Sequence, residues 1–144
     1  MLPEKRNKTK IEAIREYFNQ CPLLRGGLLN IDYLESSPLQ YSINSQIISN
    51  PVVRQYVDGM SLRQYVFNFM SSEIRSPDII DQIEACGFYE QLEDWIMDNN
   101  RKHILPDITG VQRIEVISPG YMFDAEASTA LYQIQCRVLY LKED

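Results

Sequence analysis

Two periods of apolar and polar positions run through this chain, and they predict different elements. Near the C-terminus every second residue is apolar: Ala130, Tyr132, Ile134, Cys136, Val138 and Tyr140. Successive side chains of a strand point to opposite faces, so this period predicts a long final strand with one apolar face. Its other register is Leu131, Gln133, Gln135, Arg137, Leu139 and Leu141, leucines mixed with polar groups. Residues 61–73 repeat the arrangement. Tyr65, Phe67 and Phe69 form one register, and Gln64, Val66, Asn68 and Met70 the other. The aromatic register is the candidate core, because three large rings bury more apolar area than the mixed one.

Elsewhere the period lengthens to three and four. Ile11, Ile14, Phe18 and Cys21 predict a first helix, which Pro22 ends. Residues 29–34 and 39–44 predict short strands, and 52–57 a strand turned back by Asp58-Gly59, a dipeptide suited to hairpins. Ser76-Pro77-Asp78 opens a second helical region with an N-cap, a proline and an acid in the first turn. There Ile79, Ile80, Ile83 and Cys86 form one stripe, while Phe88, Leu92, Trp95 and Ile96 form another, rotated from it. The rotation predicts a break at Gly87. Pro106 ends the region. Residues 111–118 predict a strand, joined to the last one by a loop over 119–128. This order predicts an α+β fold, a single domain over residues 1–144 with a largely antiparallel sheet and helices packed on one face.

Composition agrees with one domain. A chain of 144 residues buries roughly 70% of its unfolded surface, and 44% of this one is apolar. No apolar run approaches the roughly 18 residues of a membrane span, and no apolar segment follows the charged N-terminus as in a secretory signal. Cys21, Cys86 and Cys136 are odd in number and widely spaced, which predicts buried small hydrophobes rather than a disulfide framework or a zinc site. Residues 1–15 hold five basic side chains against two acidic ones, a net +3, which leaves −9 on the rest of a chain of net charge −6. Residues 1–10 read as a flexible basic arm. The acidic body argues against an extended nucleic-acid-binding surface.

Candidate chemistry is sparse. One histidine excludes a His-rich metal site, and no glycine-rich phosphate loop is present. His103-Ile-Leu-Pro-Asp107 fits the H-x-x-x-D spacing of chloramphenicol-type acyltransferases, where the histidine is a general base. Ile108 stands where those enzymes carry glycine, and this chain is much shorter. The competing reading is an exposed histidine at the basic end of the second helix, after Arg101 and Lys102. Two surfaces are candidate interfaces. Gln133, Gln135 and Arg137, among leucines and beside Gln64, Val66, Asn68 and Met70, make a mixed face of the kind protein partners cover, unless the first helix or the N-terminal strands cover it. Tyr121, Met122 and Phe123 put large apolar groups in the expected loop, as a partner's anchor or as packing onto their own core.

The runs IEAIREYFNQCPLL, NIDYL, NPVVRQYVDGMSLRQYVFNF, GFYEQLEDWI and SPGYMFDAEASTALYQIQCRVLYL together resemble the tail terminators of long-tailed bacteriophages and prophages, from about residue 10 to residue 141. Relatives of that kind have sometimes been labelled chloramphenicol resistance proteins. The resemblance implies a structural virion protein that caps the head-proximal end of the tail tube. Such proteins form a ring, usually a homohexamer, which ends tube growth and meets the head. The implied partners are copies of itself, the tail tube protein and a head completion or connector protein. DNA would pass through the ring without specific binding, no membrane is involved, and no cofactor or catalytic residue is implied. Assembly would take place in the bacterial cytoplasm. A stopper or connector subunit is the alternative within the same class, and a small H-x-x-x-D acyltransferase the alternative outside it.

Overall fold

The chain folds in the order α1 (Lys10–Asn19), a 3₁₀ turn (Pro22–Leu24), β1 (Leu29–Ile31), β2 (Gln40–Ser45), β3 (Val52–Gln55), β4 (Met60–Ile74), α2 (Ile79–Arg101), β5 (Val111–Ala125) and β6 (Thr129–Glu143). The computed structural model describes residues 9–24, 29–31, 40–46, 48, 50–74, 79–125 and 129–143. For residues 29–31, 40, 73, 74, 79–86, 119, 121–125, 129 and 130 it describes the backbone alone. Residues 1–8 of the expected basic arm, the helix start at Ser76-Pro77-Asp78 and the side chain of Cys86 lie outside the description.

The sheet order is β1-β2-β4-β6-β5, with β3 paired to β4 beside β2. Only β1 and β2 run parallel; the other pairs are antiparallel. Its centre is the pair β4 and β6, matched without slip from Met60 opposite Glu143 to Ile74 opposite Thr129. That register sets Phe67 against Cys136 and Phe69 against Ile134, so the apolar registers of both strands share one face. All four side chains are fully buried.

Both helices lie on that face. Thr9 caps α1 by accepting the Glu12 amide at 3.3 Å, and the helix buries Ala13, Ile14, Tyr17 and Phe18. Phe18 is the hub: its ring centroid is 5.0 Å from Phe69, 5.8 Å from Phe67 and 5.9 Å from Trp95 of α2. Where the helices meet, the buried Asn99 amide donates to the Tyr17 hydroxyl at 3.3 Å. Among the described side chains of α2, those that meet the core are Phe88, Tyr89, Leu92, Trp95 and Ile96, close to the predicted second stripe.

Two joints need glycine. In the hairpin between β3 and β4, Gly59 has φ +88°, and the turn is closed by the Tyr56 amide on the Met60 carbonyl at 2.9 Å and by the Met60 amide on Asp58 Oδ1 at 3.1 Å. Gly110 has φ +79°, and a Cβ there would collide with the Leu141 carbonyl. Its own carbonyl accepts the Leu141 amide at 2.8 Å, which docks the start of β5 on β6.

The expected break at Gly87 is absent: α2 is one helix of 23 residues. A glycine costs a helix interior only about 1 kcal/mol, too little to interrupt a helix held against a sheet. A Cβ at Gly87 would meet nothing within 4 Å. Gly87→Ala is therefore expected to stabilise the protein by about 0.5–1 kcal/mol in equilibrium denaturation. A loss of stability would show that the helix needs a flexible point there after all.

Candidate functional site

The face of the sheet opposite the helices is the mixed one. Across β4 and β6 the register pairs Gln64 with Leu139, Val66 with Arg137, Asn68 with Gln135 and Met70 with Gln133. On β5 the same rows continue through Arg113, Glu115 and Ser118. Neither expected cover lies over it among the described residues, since α1 packs on the other face and β1 and β2 lie within the sheet. Val66 and Leu139 are buried here, yet neither belongs to the cluster that packs against the helices.

Arg137 holds the middle of this face. Its Nε and Nη2 donate to Glu115 Oε2 at 3.1 and 2.9 Å, and its Nη1 donates to Gln64 Oε1 at 3.1 Å. One side chain thereby ties β4, β5 and β6 together. Gln133 accepts from Asn68 Nδ2 at 3.5 Å, a long contact, and Gln135 stands in the row between Asn68 and Ser118. Among the described residues, the buried Asn68 Oδ1 and Ser72 Oγ have no hydrogen-bond partner. Both positions belong to this face by register. Orphaned buried polar atoms are uncommon enough to need a reason.

Residues 119–125 of the loop expected over 119–128 are instead strand, and 126–128 lie outside the described residues. Tyr121, Met122 and Phe123 lie within β5, where Tyr121 pairs with Gln133 and Met122 with Tyr132, and Phe123 falls in an irregular step. Pro119 does not end the strand because β5 is at the edge of the sheet, where a missing N–H leaves no ladder bond unmade. Register shifts on both sides of Ser118 absorb the irregularity. These three residues therefore stand in a strand rather than in a connecting loop.

His103 is exposed and follows the C-terminus of α2 with φ +57°. Its amide donates to the Asn100 carbonyl at 3.2 Å, and the Ile104 amide donates to the Asn99 carbonyl at 2.9 Å. This is the Schellman ending of a helix, with histidine where glycine is usual. Burial pushes the Cys136 thiol well above its usual range, with Glu93 adding to the effect, and raises Cys21, which disfavours the reactive thiolate in both.

A second surface was not visible in the periodicity. Between α2 and the outer edge of β5 lies a groove of about 560 Å³, lined by Glu93, Met97, Asn100, Arg113, Glu115 and Ile117 among others. Asn100 closes part of that edge: its Oδ1 accepts the Ile114 amide at 3.1 Å and its Nδ2 donates to the Ile114 carbonyl at 2.7 Å, in the manner of a neighbouring strand. Burial, with Asp94 and Glu90 nearby, raises the Glu93 carboxyl above its ordinary value. Across the sheet, β3 and its turn expose Val52, Val53, Tyr56 and Val57. The signal for that patch was adjacent valines in a strand expected to alternate.

No protein-family model matches the chain, and no curated protein is similar to it in sequence.

The link from Arg137 to Glu115 is half-buried on both sides. A double-mutant cycle of Arg137→Ala with Glu115→Ala is expected to give a coupling of about 1 kcal/mol that shrinks as salt is added. Strict additivity at low salt would mean that the pair contributes nothing to holding the three strands.

Proposed function

We propose that this chain is a structural subunit of a phage tail, which joins copies of itself into a ring capping the head-proximal end of the tail tube. The observation that carries the reading is the second sheet face. It interleaves leucine, valine and methionine with neutral amides, no described helix lies over it, and it buries two polar atoms left without partners. A sheet face that met only water would carry more charge, and one that served only its own core would have a second layer on it. A protein partner covers its apolar groups and meets its partly exposed amides.

The specific role comes from the resemblance to tail terminators, which spans nearly the whole chain. The net charge of −6 per copy supports it, because an acidic ring lets DNA pass without holding it. No helix among the described residues is long and apolar enough to cross a membrane. The placement of His103, exposed at a helix ending, favours a structural part for it over general-base catalysis.

The test is tail length by electron microscopy after deletion of the gene from its own genome. Headless tails of runaway length are expected. Tails of normal length detached from heads would favour a head–tail joining subunit instead, and intact normal particles would overturn the reading. In the same system His103→Ala is expected to leave tail length unchanged. Loss of tail function in that variant while the protein stays folded would return the histidine to the centre of the question.

A further inference from the structure

The two exposed apolar patches lie on opposite edges of one sheet, the hairpin toward one end of its strands and the groove some way back from that end. A single row of paired residues runs Val52, Arg63, Tyr140, Val111 from β3 through β4 and β6 to β5. Three strand spacings, roughly 14 Å, therefore separate the β3 hairpin from the strand that forms the groove wall. With β4 and β6 between them, one molecule cannot seat its own hairpin in its own groove.

The two patches are complementary. The hairpin exposes Val52, Val53, Tyr56 and Val57, the last fully, on a short strand whose one charged side chain is Arg54. The groove exposes Met97 and Ile117 beside Glu93, which stands among Glu90 and Asp94 on α2. Its own arginine, Arg113, is already engaged with Glu115 at 3.3 Å. With Asp58 in its turn and Arg63 on β4 the hairpin is net +1, so it offers apolar surface with a small positive charge, and the groove offers apolar surface with a negative one. The raised Glu93 carboxyl marks a place where an incoming cation is favoured.

We infer that the β3–β4 hairpin of one copy docks in the α2–β5 groove of the next, with Arg54 meeting Glu93, so that copies join head to tail. The contact is heterologous: each copy uses one surface of each kind, and repetition makes a ring or a filament rather than a two-fold dimer. This rests on the self-assembling role proposed above and names the surfaces that carry it.

The test uses the full chain and its mass in solution by sedimentation velocity. The arm variant Val53→Asp/Val57→Asp and the groove variant Ile117→Asp change exposed positions, so each is expected to melt as the wild type does. Each is expected to associate with itself about tenfold more weakly or worse. Mixed together they have one good arm and one good groove between them, and a one-to-one dimer that grows no further is expected. Arg54→Glu and Glu93→Arg are each expected to weaken association, and the two in one chain to restore it. Folded variants that assemble like the wild type would overturn the inference, and so would a mixture that forms no dimer or a wild type that stays monomeric. If assembly ignores these surfaces while deletion of the gene still gives runaway tails, the docking is wrong and the proposed function stands. If deletion leaves tails normal, the function fails whatever the masses show.

Discussion

The register of β4 on β6 is the constraint on which the rest of this fold depends. Fifteen consecutive pairs without a slip fix which side chains face which way. A shift of β6 by one residue would turn Ile134, Cys136 and Val138 away from Phe67 and Phe69 and bring Gln133, Gln135 and Arg137 under the helices. Fully burying an aliphatic or aromatic side chain contributes about 1.5–3 kcal/mol, so three misplaced core residues would remove much of a net stability of about 5–15 kcal/mol. The rings of Phe18 and Trp95 have somewhere to go only because this register holds.

That constraint also explains why the second face has its character. Every substitution that fills the core leaves its sequence neighbour on the opposite side, so the two faces can be specified independently. Here the second face is held flat by one arginine bridging three strands, and it is left without a layer of its own among the described elements. The edges are managed separately. Asn100 pairs with the backbone of Ile114, and irregular steps interrupt β5 along most of its length, both of which discourage indiscriminate strand addition. What remains at the edges is a side-chain groove and an apolar hairpin, surfaces that select a partner by shape and charge.

Much of this was legible in the sequence, and the misses have identifiable causes. Both long strands, their apolar registers, the Asp58-Gly59 hairpin and both helices follow from period and turn chemistry, because those signals are local. Thr9-x-x-Glu12 was also a local start signal, though the hydrophobic period does not reveal it. The break expected at Gly87 failed because a rotated stripe was read as a bent helix; a straight helix can change its exposed face along its length. The loop expected at 119–128 failed because Pro119-Gly120 reads as punctuation, and only the sheet order reveals that β5 is an edge where proline is tolerated. The groove was beyond reach for the same reason: it is made by residues of α2 and β5 that only the fold brings together.

Edge-to-edge joining and an uncovered face are two halves of one arrangement. In a ring generated by rotation, every copy turns its second sheet face the same way relative to the axis, so joining the edges multiplies one face into a continuous surface. By register that surface carries Arg54, Arg113 and Arg137, the last two already engaged with Glu115. It offers DNA little free positive charge, and its neutral amides and leucines repel DNA little. Such chemistry suits a protein partner lying against the ring. On the proposed reading labour divides between the two surfaces: the edges, with opposite charges, would select copies of the chain, and the face, nearly neutral, would receive whatever the ring caps.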